Sequence, residues 1–191
     1  MKYDIILAGV GGQGVLSVSA IIASSAMQEG LFVKQSEVHG MSQRGGAVLA
    51  NLRLADAPIA SDLIPLGSAA MILSMEPLES LRYLQYLSAD GGAVITSTNP
   101  VVNIPNYPEL EDLLAHVRGL PVARLVDGEQ LARAAGSARA TNMVMVGAAS
   151  HRLPVKVETL EHFIETTFAA KGVKVVETNL KAFRAGREAA A

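Results

Sequence analysis

The chain has 191 residues, half of them hydrophobic, with 16 basic against 18 acidic side chains and no cysteine. That length suits one α/β domain over residues 1–191 and is enough to bury a sizeable core. Near-neutral charge and only 4% aromatics exclude a nucleic-acid reader built on charge and base stacking, and the missing cysteine excludes disulfides, Cys-ligated zinc or iron–sulfur clusters and a thiol nucleophile.

An apolar run, Tyr3–Leu7, reads as the first strand. Lys2 and Asp4 interrupt it, so no signal peptide is expected. Gly9-Val10-Gly11-Gly12-Gln13-Gly14 follows, with Gly9, Gly11 and Gly14 in the G-x-G-x-x-G spacing. A helix over Gln13–Gln28 comes next, with Gly30 as its C′ cap. Strand, glycine turn and helix form the opening of a doubly wound α/β fold. Leu31–Ser36 reads as a second strand, parallel to the first, with the helix as the crossover. Ser36–Gly46 is a polar, glycine-bearing loop at a strand end, where open α/β sheets bind ligands. Ala47–Leu54 alternates, with Asn51 and Arg53 on one face, and reads as a half-exposed antiparallel strand.

Ala69–Ser74 is a buried strand leading into a helix that starts near Pro77, with Glu76 and Glu79 favouring its amino end. Gly91–Thr96 and Val122–Val126 are further strands. Asn99–Pro108 is an irregular loop with three prolines. Helices are expected over Glu109–Val117 and Gly128–Ala135, then three more at the end. Thr141–Ser150 is apolar nearly all round and so buried, Val157–Ala170 is amphipathic, and Lys174–Glu188 closes the chain. The expected fold class is α/β: a Rossmann-like, doubly wound, mostly parallel sheet with a C-terminal helical cluster. No apolar run reaches membrane-spanning length, so a soluble cytoplasmic protein with no membrane partner is expected.

Two stretches carry candidate chemistry. The glycine turn suits a dinucleotide or phosphate at a helix amino end, or it is a purely structural turn. Glu37 is the acid nearest the second strand's end, although it lies 28 residues after Gly9, against the usual ~20 for a ribose-binding acid. Gln13 stands where a side chain would crowd or donate to a ligand. In the second stretch, Glu37 and His39 share one face of an extended segment, an arrangement suited to proton transfer. Arg44, flanked by Gly45 and Gly46, suits a carboxylate or phosphate clamp; an ordered interface loop is the simpler reading. A free-standing NAD(P)-binding oxidoreductase and a regulatory nucleotide-binding module both remain open from these residues alone.

Taken together, the two glycine stretches, Glu76-Pro77-Leu78-Glu79-Ser80-Leu81-Arg82, Asn142-Met143 and Asn179-Leu180-Lys181-Ala182-Phe183 resemble the gamma-type subunit of the 2-oxoacid:ferredoxin oxidoreductases. The Glu37–Gly46 stretch and Glu76–Glu79 resemble the arylpyruvate (indolepyruvate) branch. The resemblance covers essentially the whole chain. It implies a complex that oxidatively decarboxylates an aryl-2-oxoacid with thiamine diphosphate and magnesium. The acyl group goes to coenzyme A, and electrons pass through iron–sulfur clusters to ferredoxin. Thiamine diphosphate and the clusters are implied on a large (alpha) subunit. No catalytic residue and no metal ligand is implied here. Gly9, Gly11, Gly12, Gln13, Gly14, Glu37, Arg44, Gly45 and Gly46 become candidates for a cleft or interface, and a homodimer of the isolated chain is an expectation. Arg44→Ala is expected to impair assembly or coenzyme A use more than folding.

Overall fold

The computed structural model describes residues 1–38 and 45–191. Its strands are β1 (Lys2–Val10), β2 (Phe32–Val38), β3 (Ala47–Ala55), β4 (Met71–Ser74), β5 (Ala93–Ser97) and β6 (Ala123–Val126). They form one sheet in the order β2-β3-β1-β4-β5-β6. β1, β4, β5 and β6 are parallel neighbours. Strands buried on both faces read as unbroken apolar runs rather than alternating ones, and Ile5, Ile6, Leu7, Met71, Ile72 and Leu73 are all fully buried.

The helices are α1 (Val15–Gln28), α2 (Pro77–Arg82), α3 (Leu110–Arg118), α4 (Gly128–Ala135), α5 (Thr141–Ala149), α6 (Val157–Phe168) and α7 (Val173–Ala189). On one face of the sheet, Ile5, Leu7, Leu52 and Leu73 share a core with Val18 and Ile22 of α1, Met143 and Val146 of α5, Ile164 of α6 and Phe183 of α7. On the other, Ile6, Ile72 and Val94 pack with Ile64 and with Val117 of α3, while Leu81 of α2 lies against them. Alternation along each strand thus feeds two cores, which is the three-layer α/β arrangement the sequence predicts. Helix α1 ends as Gly30 predicts. Its φ is 84°, and the N–H groups of Gly30 and Leu31 donate to Met27 and Ala26 at 3.0 Å each, a Schellman closure.

The mostly apolar α5, buried from Met143 to Ala149, packs against α7. A Cβ on Gly147 would lie 1.9 Å from the Phe183 carbonyl oxygen, and one on Gly186 would lie 1.9 Å from that of Val144. The two helices therefore touch backbone to backbone. Each glycine costs its helix about 1 kcal/mol against alanine, and the close crossing is what that cost permits.

Two expectations need correction. β2 runs in the same direction as β1 but is not its neighbour. β3 lies between them, antiparallel to both, because it pairs with β1 from Lys2↔Ala55 to Val10↔Ala47 and so takes the edge that a parallel β2 would use. β3 is also not half-exposed. Ala50–Ala55 are buried, since the segment after β3 folds back over the polar face. There Asn51 Oδ1 accepts from the Ile64 N–H at 3.3 Å. Arg53 Nη1 donates to the carbonyls of Ser61 and Leu63 at 2.9 and 2.7 Å. The guanidinium is neutralised by Asp4, directly across the strands.

Candidate functional site

The carboxyl end of β1 brings the two glycine stretches together. Past the last strand pair, the Gly11 N–H donates to the Gly46 carbonyl at 2.8 Å, and the Gly45 N–H donates back to Gly11 at 3.4 Å. The β1–β3 ladder therefore continues into the turn and makes one corner of the two motifs. His39 and Arg44 fall within residues 39–44, outside the described residues.

Three of the turn's glycines answer to different demands. A Cβ on Gly9 would meet Val15 Cγ2 at 2.9 Å and Gln13 Oε1 at 3.0 Å, a matter of space. Gly12 has φ 100° and open surroundings, a matter of backbone conformation. Gly14, the N-cap of α1, combines φ 80° with Asn142 Nδ2 only 2.8 Å from where a Cβ would sit. Gln13 does not reach outward. Its Oε1 accepts from the Val10 N–H at 2.7 Å, and its Nε2 donates to the Met75 carbonyl at 3.1 Å, tying the turn to the end of β4.

No side chain caps α1, and no acid sits in its first turn. Among the described residues, the amino end of this 14-residue helix therefore has no capping side chain or first-turn acid to neutralise it, which favours an anion there. It borders a cleft of about 340 Å³ lined by Val10, Gly11, Gly12, Gly14, Val15, Leu16 and Val48. A neighbouring cavity of about 430 Å³ is bounded by Ser17, Asn142, Arg139, Lys171 and Lys174, among others, and no acid lines it. Asn142 touches the glycine turn and also lines this cavity.

Glu37 stands apart from this corner. It pairs with Ala50, which in turn pairs with Leu7. Glu37 is therefore two strands from β1, roughly 10 Å away, and level with Leu7 rather than with the turn. A ribose-binding acid belongs on the strand beside the glycine turn, and here that place is taken by β3. Gln35 Nε2 donates to the Glu37 carboxylate.

The sequence places Glu76 at the amino end of the helix after β4 but gives it no part in a site. Glu76, 1% exposed, is the N-cap of α2, and its Oε2 accepts from the Glu79 N–H at 2.8 Å. Its Oε1 accepts from Tyr107 Oη and from the Val101 N–H. Burial, and then the hydrogen bond to Glu76, push the Tyr107 phenol well above the usual tyrosine range. Glu79 is also buried; this raises its carboxyl, partly offset by the Arg82 guanidinium, which donates to Oε1 at 3.0 Å. The signal available in the sequence was a glutamate at an N-cap, a place where shorter acceptors are preferred.

Among the described residues there is no group of three or more metal-ligating side chains, and no helix is long and apolar enough to cross a membrane. The family model for pyruvate ferredoxin/flavodoxin oxidoreductase matches residues 4–189. The indolepyruvate oxidoreductase subunit IorB of Archaeoglobus fulgidus is 37% identical, over 97% of this chain and 94% of its own length. The pyruvate oxidoreductase subunit PORC from Thermotoga maritima superposes with a TM-score of 0.75 at 23% identity, covering 98% of this chain and 96% of that one. The 2-oxoglutarate:ferredoxin oxidoreductase from Magnetococcus marinus, with 2-oxoglutarate, coenzyme A and succinyl-CoA bound, gives 0.79 at 22% identity, over 99% of this chain but 31% of that one. These two likenesses show the fold, and the sequence relatives carry the assignment. The chain belongs to the pyruvate ferredoxin/flavodoxin oxidoreductase family, as a small subunit of the 2-oxoacid:ferredoxin oxidoreductase type.

Proposed function

We propose that this chain, acting as one gamma-type unit over residues 1–191, forms one wall of an active-site cleft that a large subunit completes. The assembled enzyme oxidatively decarboxylates an aryl-2-oxoacid, passes the acyl group to coenzyme A and delivers electrons to ferredoxin. The chain alone is inactive. The clusters belong to the large subunit, since this chain has no cysteine to ligate iron, and the family resemblance implies thiamine diphosphate there with them.

The observation that carries this reading is the corner where Gly11 is stitched to Gly45 and Gly46 beside the uncapped start of α1. Among the described residues it forms a wall lined by Gly11, Gly12, Leu16 and Val48. The adjoining cavity, with Arg139, Lys171 and Lys174 and no acid, suits the phosphates of coenzyme A. Leu16, Val38 and Val102 are 40%, 58% and 71% exposed. Leu16 lines the cleft, Val38 ends β2, and Val102 precedes Asn103, whose amide reaches Gly45. Exposed apolar side chains in such a place suit a protein partner.

The test is reconstitution. Indolepyruvate-dependent reduction of ferredoxin should require both this chain and the large subunit, and should also require coenzyme A. Turnover by the isolated chain would overturn the reading. So would micromolar NAD(P)H binding by the isolated chain that is lost in Gly11→Val.

A further inference from the structure

We propose that Glu76, Tyr107 and Asn103 are positioning residues for the Gly45–Gly46 corner. They act through the strap between β5 and α3, and the functional part of the proposal rests on the corner being part of the shared cleft. The strap carries Pro100, Pro105 and Pro108 and has no helix or strand of its own. Its root is fixed. Asn99 Nδ2 donates to Asp127 at 3.0 Å, and Asn99 Oδ1 accepts from the Glu129 N–H at 2.9 Å and from Ser97 Oγ at 2.7 Å.

Beyond the root, one buried oxygen gathers the strap. Glu76 Oε1 accepts from the Val101 N–H at 3.4 Å and from Tyr107 Oη. Two points six residues apart in sequence are thereby pinched together. Asn103 lies in the loop between them, and its Nδ2 donates to the Gly45 carbonyl at 2.7 Å. Gly45 and Gly46 are in turn bonded to Gly11. Hydrogen bonds at either end of the strap tip, joined by its own backbone, thus link a buried carboxylate to the glycine turn.

The choice of glutamate supports this role. Capping α2 needs one acceptor, and the uncharged Ser or Asn would supply it at lower desolvation cost. Glutamate's second oxygen is what reaches the strap. Prolines stiffen the strap between its anchors by fixing φ, so that a change at Glu76 is transmitted to its tip instead of being absorbed.

The test uses the assembled two-subunit enzyme with Asn103→Ala, Tyr107→Phe and Glu76→Asp. Aspartate keeps the α2 cap but is too short for the strap. In all three, amide exchange in peptides carrying Gly11 and Gly45 should speed up by about fivefold or more, the scale of one lost hydrogen bond, while peptides of α7 stay unchanged. The KM for coenzyme A should rise several-fold with kcat within about twofold, since a displaced binding wall weakens uniform binding. Unchanged exchange at the corner in Asn103→Ala and Tyr107→Phe would overturn the positioning role. So would a general loss of stability with no local change. Faster exchange with an unchanged KM would leave the positioning standing and overturn the cleft reading.

Discussion

Two buried carboxylates each pin a loop over the sheet, Asp4 in β1 and Glu76 at the end of β4, and their charges are balanced differently. Asp4 accepts from Arg53 through two parallel bonds of 2.9 and 3.1 Å. Lys2 approaches it at 3.1 Å, and Arg53 spends a further nitrogen on the Ser61 and Leu63 carbonyls. Among the described residues, Glu76 takes only neutral donors: the N–H groups of Glu79 and Val101, and Tyr107 Oη. A second buried carboxylate, Glu79, stands beside it, and among the described residues its Oε2 has no hydrogen-bond partner. The first cluster is closed and reads as structure. The second sets two carboxylates against one guanidinium, that of Arg82 on Glu79 Oε1 at 3.0 Å, near the corner that faces the proposed partner, and groups left short inside a fold tend to mark the working end of a molecule.

The largest expected effect comes from opening the closed cluster. Asp4→Ala leaves Arg53 buried and unpaired, and breaking such a pair costs about 3–5 kcal/mol. Urea denaturation of the variant measures it. Replacing both partners with apolar residues of similar volume, Asp4→Leu with Arg53→Met, should recover most of the loss. A loss below about 1 kcal/mol in Asp4→Ala would erase the distinction between the two clusters.

The unbalanced cluster should show itself in pH dependence. Burial holds the Glu79 carboxyl above its usual range. The unfolded chain releases that proton near the ordinary value of about 4.3, while the folded chain keeps it to higher pH. Between the two values the folded state binds more protons, so stability falls as pH rises. Glu79→Gln should flatten that decline in a series of melting temperatures. An unaltered pH profile would show that Glu79 carries no such strain.

These two clusters also mark what the sequence made legible. Period-2 and period-3.6 patterns give the strands and helices close to their observed bounds, because burial on both faces or on one stripe is written locally. The place of β3 between β1 and β2 is not local. Its Asn51 and Arg53 look like an exposed face until Ile64 and the Ser61–Leu63 carbonyls arrive from a later loop. The glycine turn was readable from its spacing, yet Gln13 turned out to bond inward, to Val10 and Met75. The meeting of Gly11 with Gly46 follows from the β1–β3 register. Glu76, Asn103 and Tyr107 converge from separate segments, and no spacing in the sequence announces them.

The smallest expected effect separates geometry from burial. Arg184 on α7 grips Glu161 on α6 at 2.7 and 3.0 Å, the same two-bond fork that Arg53 makes with Asp4. Its side chain is 61% exposed, against 8% for Arg53. The Arg184 guanidinium holds the Glu161 carboxyl below its usual range. Its contribution is therefore present above the ordinary glutamate value and is lost as pH falls through the lower, folded one. In water that contribution is small. Arg184→Ala should cost under about 1 kcal/mol at neutral pH, less in high salt, and nothing once Glu161 is protonated. A cost approaching that of Asp4→Ala would mean that the fork itself, rather than the exclusion of water around it, sets the strength of both pairs.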